Sequence, residues 1–257
     1  MLKLEHIVRG GEFQMGISPE IKYQELSEPF KKHLEFIDAT SAKAAVWAII
    51  LLLYDTSLLV GLPSIEESRY LWGISPMALV VHLWGLRLLF KNAYSTQMEM
   101  VLFIGVLGLI GSMTSFLLIL GLSIHTLSIT SMLYYIIMCL VVIVSTVFVI
   151  QLQINKYKGD PKGKNQVNKG SKYKTLLYIG PGLGAVIAGL TRDTNIYIET
   201  IAIIGIIFMM YLVYVYFASR FIHKYFFIKA NMHLATFQKP NKKKDQIQLN
   251  KKRVKIK

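Results

Sequence analysis

Four ionisable residues lie inside apolar stretches of this chain, where a charged side chain costs about 2.5 to 3.5 kcal/mol at the centre of a bilayer. They are Asp55, His82, Arg87 and Glu199. Asp55 lines up with Ala44 and Ala48, and His82 with Ser75, Ala78 and Gly85, so each belongs to a small, polar stripe on its helix. Histidine titrates near neutral pH and aspartate can carry a coupling proton, so the two could form a proton or cation path. The same residues could instead be a polar pair or water site that locks two helices together, and this second reading fits better because transport paths use more than two such groups. Counted from the link between their helices, Asp55 is about seven residues deep and His82 about twelve, an offset of roughly 7 to 8 Å that argues against a direct bond. Arg87 and Glu199 lie within about two turns of an interface, where the arginine head can reach water.

Other chemistry has little support. No pair among His6, His33, His82, His125, His223 and His233 shows metal-ligand spacing, and Cys139 has no second cysteine to join. Glu66-Glu67-Ser68-Arg69 superficially matches the paired glutamates of intramembrane proteases, but the spacing and a later histidine motif are missing. Gly180 to Ala185, GPGLGA, matches G-x-G-x-x-A in letters, yet it lacks the strand before it and the βαβ context that phosphate binding needs. Gly180, Gly184 and Ala188 are better read as a flat helix face for close packing, and Gly105 and Gly108, with Ser112 and Ser115, give an earlier helix a comparable face. We expect these two faces to pack on one another. Pro181 keeps open an unwound, ion-exposed segment of the kind that transporters use. No pattern identifies a reaction, so the chain is expected to be non-enzymatic and to need no cofactor.

These residues must be positioned by membrane helices. The 257 residues are 53% hydrophobic and 17% charged, and Met100 to Asn155 contains no Asp, Glu, Lys or Arg, enough for two spans. Six spans follow: Ala44 to Leu62, Tyr70 to Phe90, Met100 to Leu120, Ser128 to Leu152, Thr175 to Thr191 and Asn195 to Ala218. The expected fold is an all-α polytopic protein of three hairpins. Residues 44–152 hold four spans and 175–219 the last hairpin, with a basic linker at 153–174 and a basic tail at 220–257. The linker and tail carry 19 of the 29 Lys and Arg, which places both, and both chain ends, on the cytoplasmic side. Lys242, Lys243, Lys244, Lys251, Lys252 and Arg253 are suited to anionic headgroups, and without interleaved aromatics the net charge of +14 does not point to nucleic acid. The Lys/Asn/Gln-rich end of the tail reads as disordered.

Residues 15–43 form a cytoplasmic arm. Tyr23, Leu26, Phe30, Leu34 and Ile37 share one helical face beginning near Ser18-Pro19-Glu20, with Pro29 either kinking the helix or dividing it in two. The arm either lies on the headgroups, the favoured reading, or docks a protein partner. Residues 1–14 include RGGEF, which lacks the full cyclase signature and, as a double-glycine leader, has Leu4 and Glu5 in swapped order. Gly10-Gly11-Glu12 can be encoded by a purine-rich ribosome-binding sequence upstream of Met15, so translation is expected to start at Met15. That feature and the Ile/Lys/Asn-rich composition suggest a bacterial cytoplasmic membrane. The expected role is an accessory, scaffold or immunity-type subunit with a protein partner in the membrane or at its cytoplasmic face. The alternative is a small proton- or ion-coupled transporter using Asp55 and His82.

Overall fold

The computed structural model describes residues 16–64, 68–157, 161–162 and 196–238. Among these residues the chain is all-helical, and five helices are long and apolar enough to cross a membrane: Ser41–Gly61, Tyr70–Phe90, Gln97–Thr126, Met132–Lys156 and Ile198–Ala230. The expected span at Thr175 to Thr191, the face at Gly180, Gly184 and Ala188, residues 1–15 with the expected start at Met15, and the tail lysines from Lys242 lie outside the described residues.

The helices are α1 (Glu28–Leu34), α2 (Ala39–Ile49), α3 (Thr56–Gly61), α4 (Ser68–Phe90), α5 (Gln97–Gly121), α6 (Met132–Lys156) and α7 (Ile196–Ala230). A π-helical segment, Ile50–Asp55, joins α2 to α3 in one continuous rod, and a second, Leu122–Thr126, extends α5. The wider turn leaves carbonyls to be satisfied, and side chains supply the donors: Thr56 Oγ1 donates to the Leu51 carbonyl at 3.3 Å and Ser57 Oγ to that of Leu53 at 2.8 Å.

At the centre, α5 and α7 meet along a glycine face. A Cβ placed on Gly108 would lie 2.4 Å from the Ala218 amide nitrogen and 2.7 Å from the Tyr214 carbonyl oxygen, while one on Gly105 would lie 2.8 Å from the Ile222 side chain. Gly105 and Gly108 thus pack closely against α7, while the segment containing Gly180, expected to pack on this face, lies outside the described residues. Helix α6 packs chiefly on α7, through the Thr146–Tyr211 hydroxyl contact of 2.6 Å, while Met138 packs on the cluster of Ile74, Leu118, Ile119, Leu122 and Ile207. Helix α7 is thus the main neighbour of both helices of the expected second hairpin. The link between α5 and α6 is wide enough for this, since it holds the π-helical segment and Ser128 at a φ of 52°.

Two apolar layers bound the middle of the bundle. Ile74, Leu118, Ile119, Leu122 and Ile207 close one end, and Val46, Ile50, Leu88, Met100, Phe103 and Ile104 fill the half nearer the other. The arm sits at this second end. Ser18-Pro19-Glu20 forms a single turn, not a helix start, with the Ile21 amide donating to the Ser18 carbonyl at 3.0 Å. The helix begins instead at Glu28, because Pro29 falls in its first turn, where no amide donor is needed. Leu26, Phe30 and Leu34 are buried against Val101, Phe227, Ile228 and Leu234. The arm's apolar face is therefore covered by its own chain, which displaces the reading of a helix lying on headgroups.

Helix α7 runs to Ala230, twelve residues past the expected Ala218. Its 35 residues measure about 52 Å against an apolar bilayer thickness of about 30 Å, so one end must project. The projecting turns carry the arm. Asn231 closes the helix, its Nδ2 donating to the Phe227 carbonyl at 2.8 Å while its Oδ1 accepts from the Ile17 amide at 2.6 Å. Gln97 and Gln238 exchange amide hydrogen bonds of 2.8 and 3.1 Å, and Gln238 Oε1 caps the start of α2 by accepting from the Ala39 amide at 2.8 Å.

Candidate functional site

The bundle brings Asp55 and His82 into contact. His82 Nε2 lies 3.1 Å from Asp55 Oδ1 and 3.4 Å from Oδ2. The expected offset in depth is closed by side-chain direction, because Cα–Cβ bonds tilt toward the N-terminus of their own helix. The two helices run in opposite directions, so Asp55 leans back along its rod while His82 leans to meet it.

Hydrogen bonding orients the His82 ring. His82 Nδ1 sits 2.8 Å from the Ala78 carbonyl, which can only accept, so Nδ1 carries a proton and donates. Nε2 then faces the Asp55 carboxyl group. Such a pair is far less costly in an apolar setting than either charge alone.

Next to it, hydroxyls tie the Asp55 rod to the core. Ser57 Oγ donates to its own helix and so accepts from Tyr214 Oη at 2.9 Å, and Tyr54 Oη contacts Thr114 Oγ1 at 3.3 Å. Tyr54, Ser57 and Tyr214 are buried, whereas the side chains of Asp55 and His82 remain 23% and 36% exposed. Leu52 and Leu59 on the same helical rod as Asp55, and Leu79 and Leu83 on the helix of His82, are exposed apolar side chains. The pair therefore sits in the groove between the first two long helices, open on one side.

The other expected residues are placed apart. Arg87 does not only reach outward: its Nη2 lies 3.3 Å from Glu99 Oε1, and Lys91 Nζ lies 3.4 Å from Glu99 Oε2. Trp84 Nε1 also donates to Glu99 Oε1, at 3.1 Å. Glu99 was missed because it sits at the edge of the uncharged stretch; the signal for it is an acid in the first turn of α5, opposite the basic last turn of α4. Glu199 stands half-buried in the first turn of α7 and makes no ion pair among the described residues.

A second histidine contact went unseen in the sequence. His33 Nε2 of the arm and His223 Nδ1 of α7 are 2.9 Å apart, and Tyr157 stacks on both rings at centroid distances of 4.1 and 5.1 Å. Burial, then the positive charges of His223, Lys224, Arg220 and Lys156, push the His33 pKa down to about 2. Docked His33 is therefore neutral, while an undocked arm takes up a proton near 6.5. Stability from this residue is complete above pH 6.5 and is lost as pH falls toward 2, at about 1.4 kcal/mol per unit. Arm docking should weaken measurably between pH 7.5 and 5.5, seen as faster amide exchange at 28–34, and His33→Phe should remove most of that dependence.

Among the described residues no group of three His, Cys, Asp or Glu side chains could hold a metal ion. The fold and the pair are compatible with an integral membrane protein of several helical spans. Comparison with family models, curated proteins and solved structures gives no match to the chain.

Proposed function

We propose that this chain is a multi-pass, non-catalytic accessory or scaffold subunit of a bacterial cytoplasmic membrane, with the Asp55–His82 pair acting as a polar lock. One observation carries the reading: the polar groups beside Asp55 and His82 bond to one another or to backbone. His82 is tied at one nitrogen to the Ala78 carbonyl and at the other to Asp55, and the adjoining hydroxyls terminate on backbone or on Thr114. Apolar layers containing Leu118, Ile119 and Leu122 on one side and Val46, Leu88 and Phe103 on the other separate this group from both ends. A proton path would need polar steps through those layers.

The open side of the pair supports an accessory role. A partly exposed ionic contact among leucines is stabilised when another helix covers it, and a membrane partner of this subunit would do so. An immunity-type role is a special case of the same architecture. The basic linker and tail support a cytoplasmic arm end with contacts to anionic lipid, and the described ends bear on a six-span topology: Tyr157 stacks beside the arm, whereas the Ile203 to Phe208 part of α7 packs with Leu62 and Tyr70 at the opposite end. The composition supports the bacterial assignment.

The test is proton movement by purified protein in liposomes carrying a pH gradient. Flux should equal that of protein-free liposomes, and Asp55→Asn should lower the amount of folded protein without changing flux. Flux above background that falls in Asp55→Asn would replace the scaffold with the proton-coupled carrier.

A further inference from the structure

Basic side chains converge where α6, α7 and the arm meet. Arg220, His223 and Lys224 are spaced i, i+3 and i+4 and so share one face of α7. Lys156 ends α6, with its ammonium 5.6 Å from the centroid of the Tyr157 ring. Arg220 Nη1 donates to Tyr216 Oη at 2.8 Å, and its guanidinium lies 5.7 and 5.8 Å from the Tyr216 and Phe221 rings. Lys156 and Lys224 are each within Coulombic reach of Arg220. Among the described residues neither Lys156 nor Arg220 has a carboxylate partner, and the acid that acts on Lys224 is Glu35 of the arm.

A second observation points to a ligand. Lys224 is only 8% exposed, yet its ammonium, with three donors to satisfy, makes one long hydrogen bond of 3.4 Å to the Lys32 carbonyl. Lys156 and Lys224 are each repelled by Arg220, and a nearby anion would offset that repulsion.

We propose that Lys156 and Arg220, backed by Lys224, form a binding site for the phosphate of an anionic lipid headgroup at the α6–α7 end. The chemistry is suited to it, since guanidinium forks pair with phosphate oxygens and basic pockets between membrane helices take anionic headgroups. Lipid is favoured over free phosphate by what lies alongside. Tyr157 lies beside Lys156, and Tyr216 and Phe221 beside Arg220, aromatic rings of the kind found at the headgroup level, and Val144, Val147 and Phe148 of α6 are exposed, so that an acyl chain can lie along them. The site rests on the reading that the linker and tail meet anionic lipid, lies apart in sequence from Lys242, Lys243 and Lys244, and does not depend on the lock.

The experiment follows thermal unfolding of the full chain in neutral detergent with phosphatidylglycerol, phosphatidylcholine or inorganic phosphate added. Phosphatidylglycerol should raise the midpoint by about 4 °C or more over phosphatidylcholine. The shift should disappear in K156Q/R220Q and persist in K242Q/K243Q/K244Q. An equal rise with inorganic phosphate would overturn the lipid assignment, and a shift retained in K156Q/R220Q would overturn the site. Native mass spectrometry of the unaltered protein reads the same question without a variant: phosphatidylglycerol should survive on the protein at activation energies that remove phosphatidylcholine, and equal survival would contradict the proposal.

Discussion

Gly108→Leu should abolish recovery of folded protein, the largest loss expected from any single substitution in the bundle. The first added carbon already meets the backbone of α7, 2.4 Å from the Ala218 nitrogen and 3.0 Å from its Cα, and backbone cannot rotate away as a side chain can. Overpacking a well-filled core costs about 1 to 3 kcal/mol, and forcing two central helices apart exceeds that range. Total stability of about 5 to 15 kcal/mol leaves little margin. The measurement is the monodisperse fraction on size exclusion in mild detergent. Gly205→Leu serves as the matched control, because a Cβ at Gly205 meets nothing within 4 Å and should leave that fraction unchanged.

Tyr214 should show the second largest effect, and the chemistry of the replacement should divide it. Its side chain is fully buried, packs over Gly111 and donates to Ser57. Tyr214→Ala removes the ring and leaves a cavity at the α5–α7 contact, for an expected loss of about 3 to 5 kcal/mol. Tyr214→Phe keeps the ring and removes one hydrogen bond, for about 1 kcal/mol, since Ser57 still donates to the Leu53 carbonyl. Chemical unfolding monitored by circular dichroism would separate the two. Equal losses would mean that the hydroxyl, not the packing, holds this contact.

The long helices are legible in the sequence because uninterrupted apolar runs need no partner to be recognised. Tyr70 to Phe90 falls within the observed α4, and the other described spans shift by a few residues at their ends, apart from the overhang of α7. That overhang was hidden by its charges. Arg220, His223 and Lys224 count toward the topology of a basic tail, whereas in the fold they occupy one face of a helix whose other residues, Phe227 and Ile228, receive the arm. The small face of α5 was readable as a packing surface, but residue spacing does not say which helix covers it. For the candidate site, the stripes bearing Asp55 and His82 were visible from periodicity. Their contact was not, because counting depth along two axes ignores the opposed lean of the side chains. His33 and His223 are 190 residues apart, and no local pattern links them.

The central claim is that Asp55 and His82 stabilise the bundle through each other. A double-mutant cycle with Asp55→Asn, His82→Gln and the combined variant, read as unfolding free energy in the same detergent, tests it most directly. The account predicts a coupling of about 1 kcal/mol or more, at the upper part of the range for polar contacts between membrane helices, with the double variant losing less than the sum of the singles. Additive losses, with coupling below about 0.3 kcal/mol, would contradict it and leave the two residues as independent polar groups in one groove.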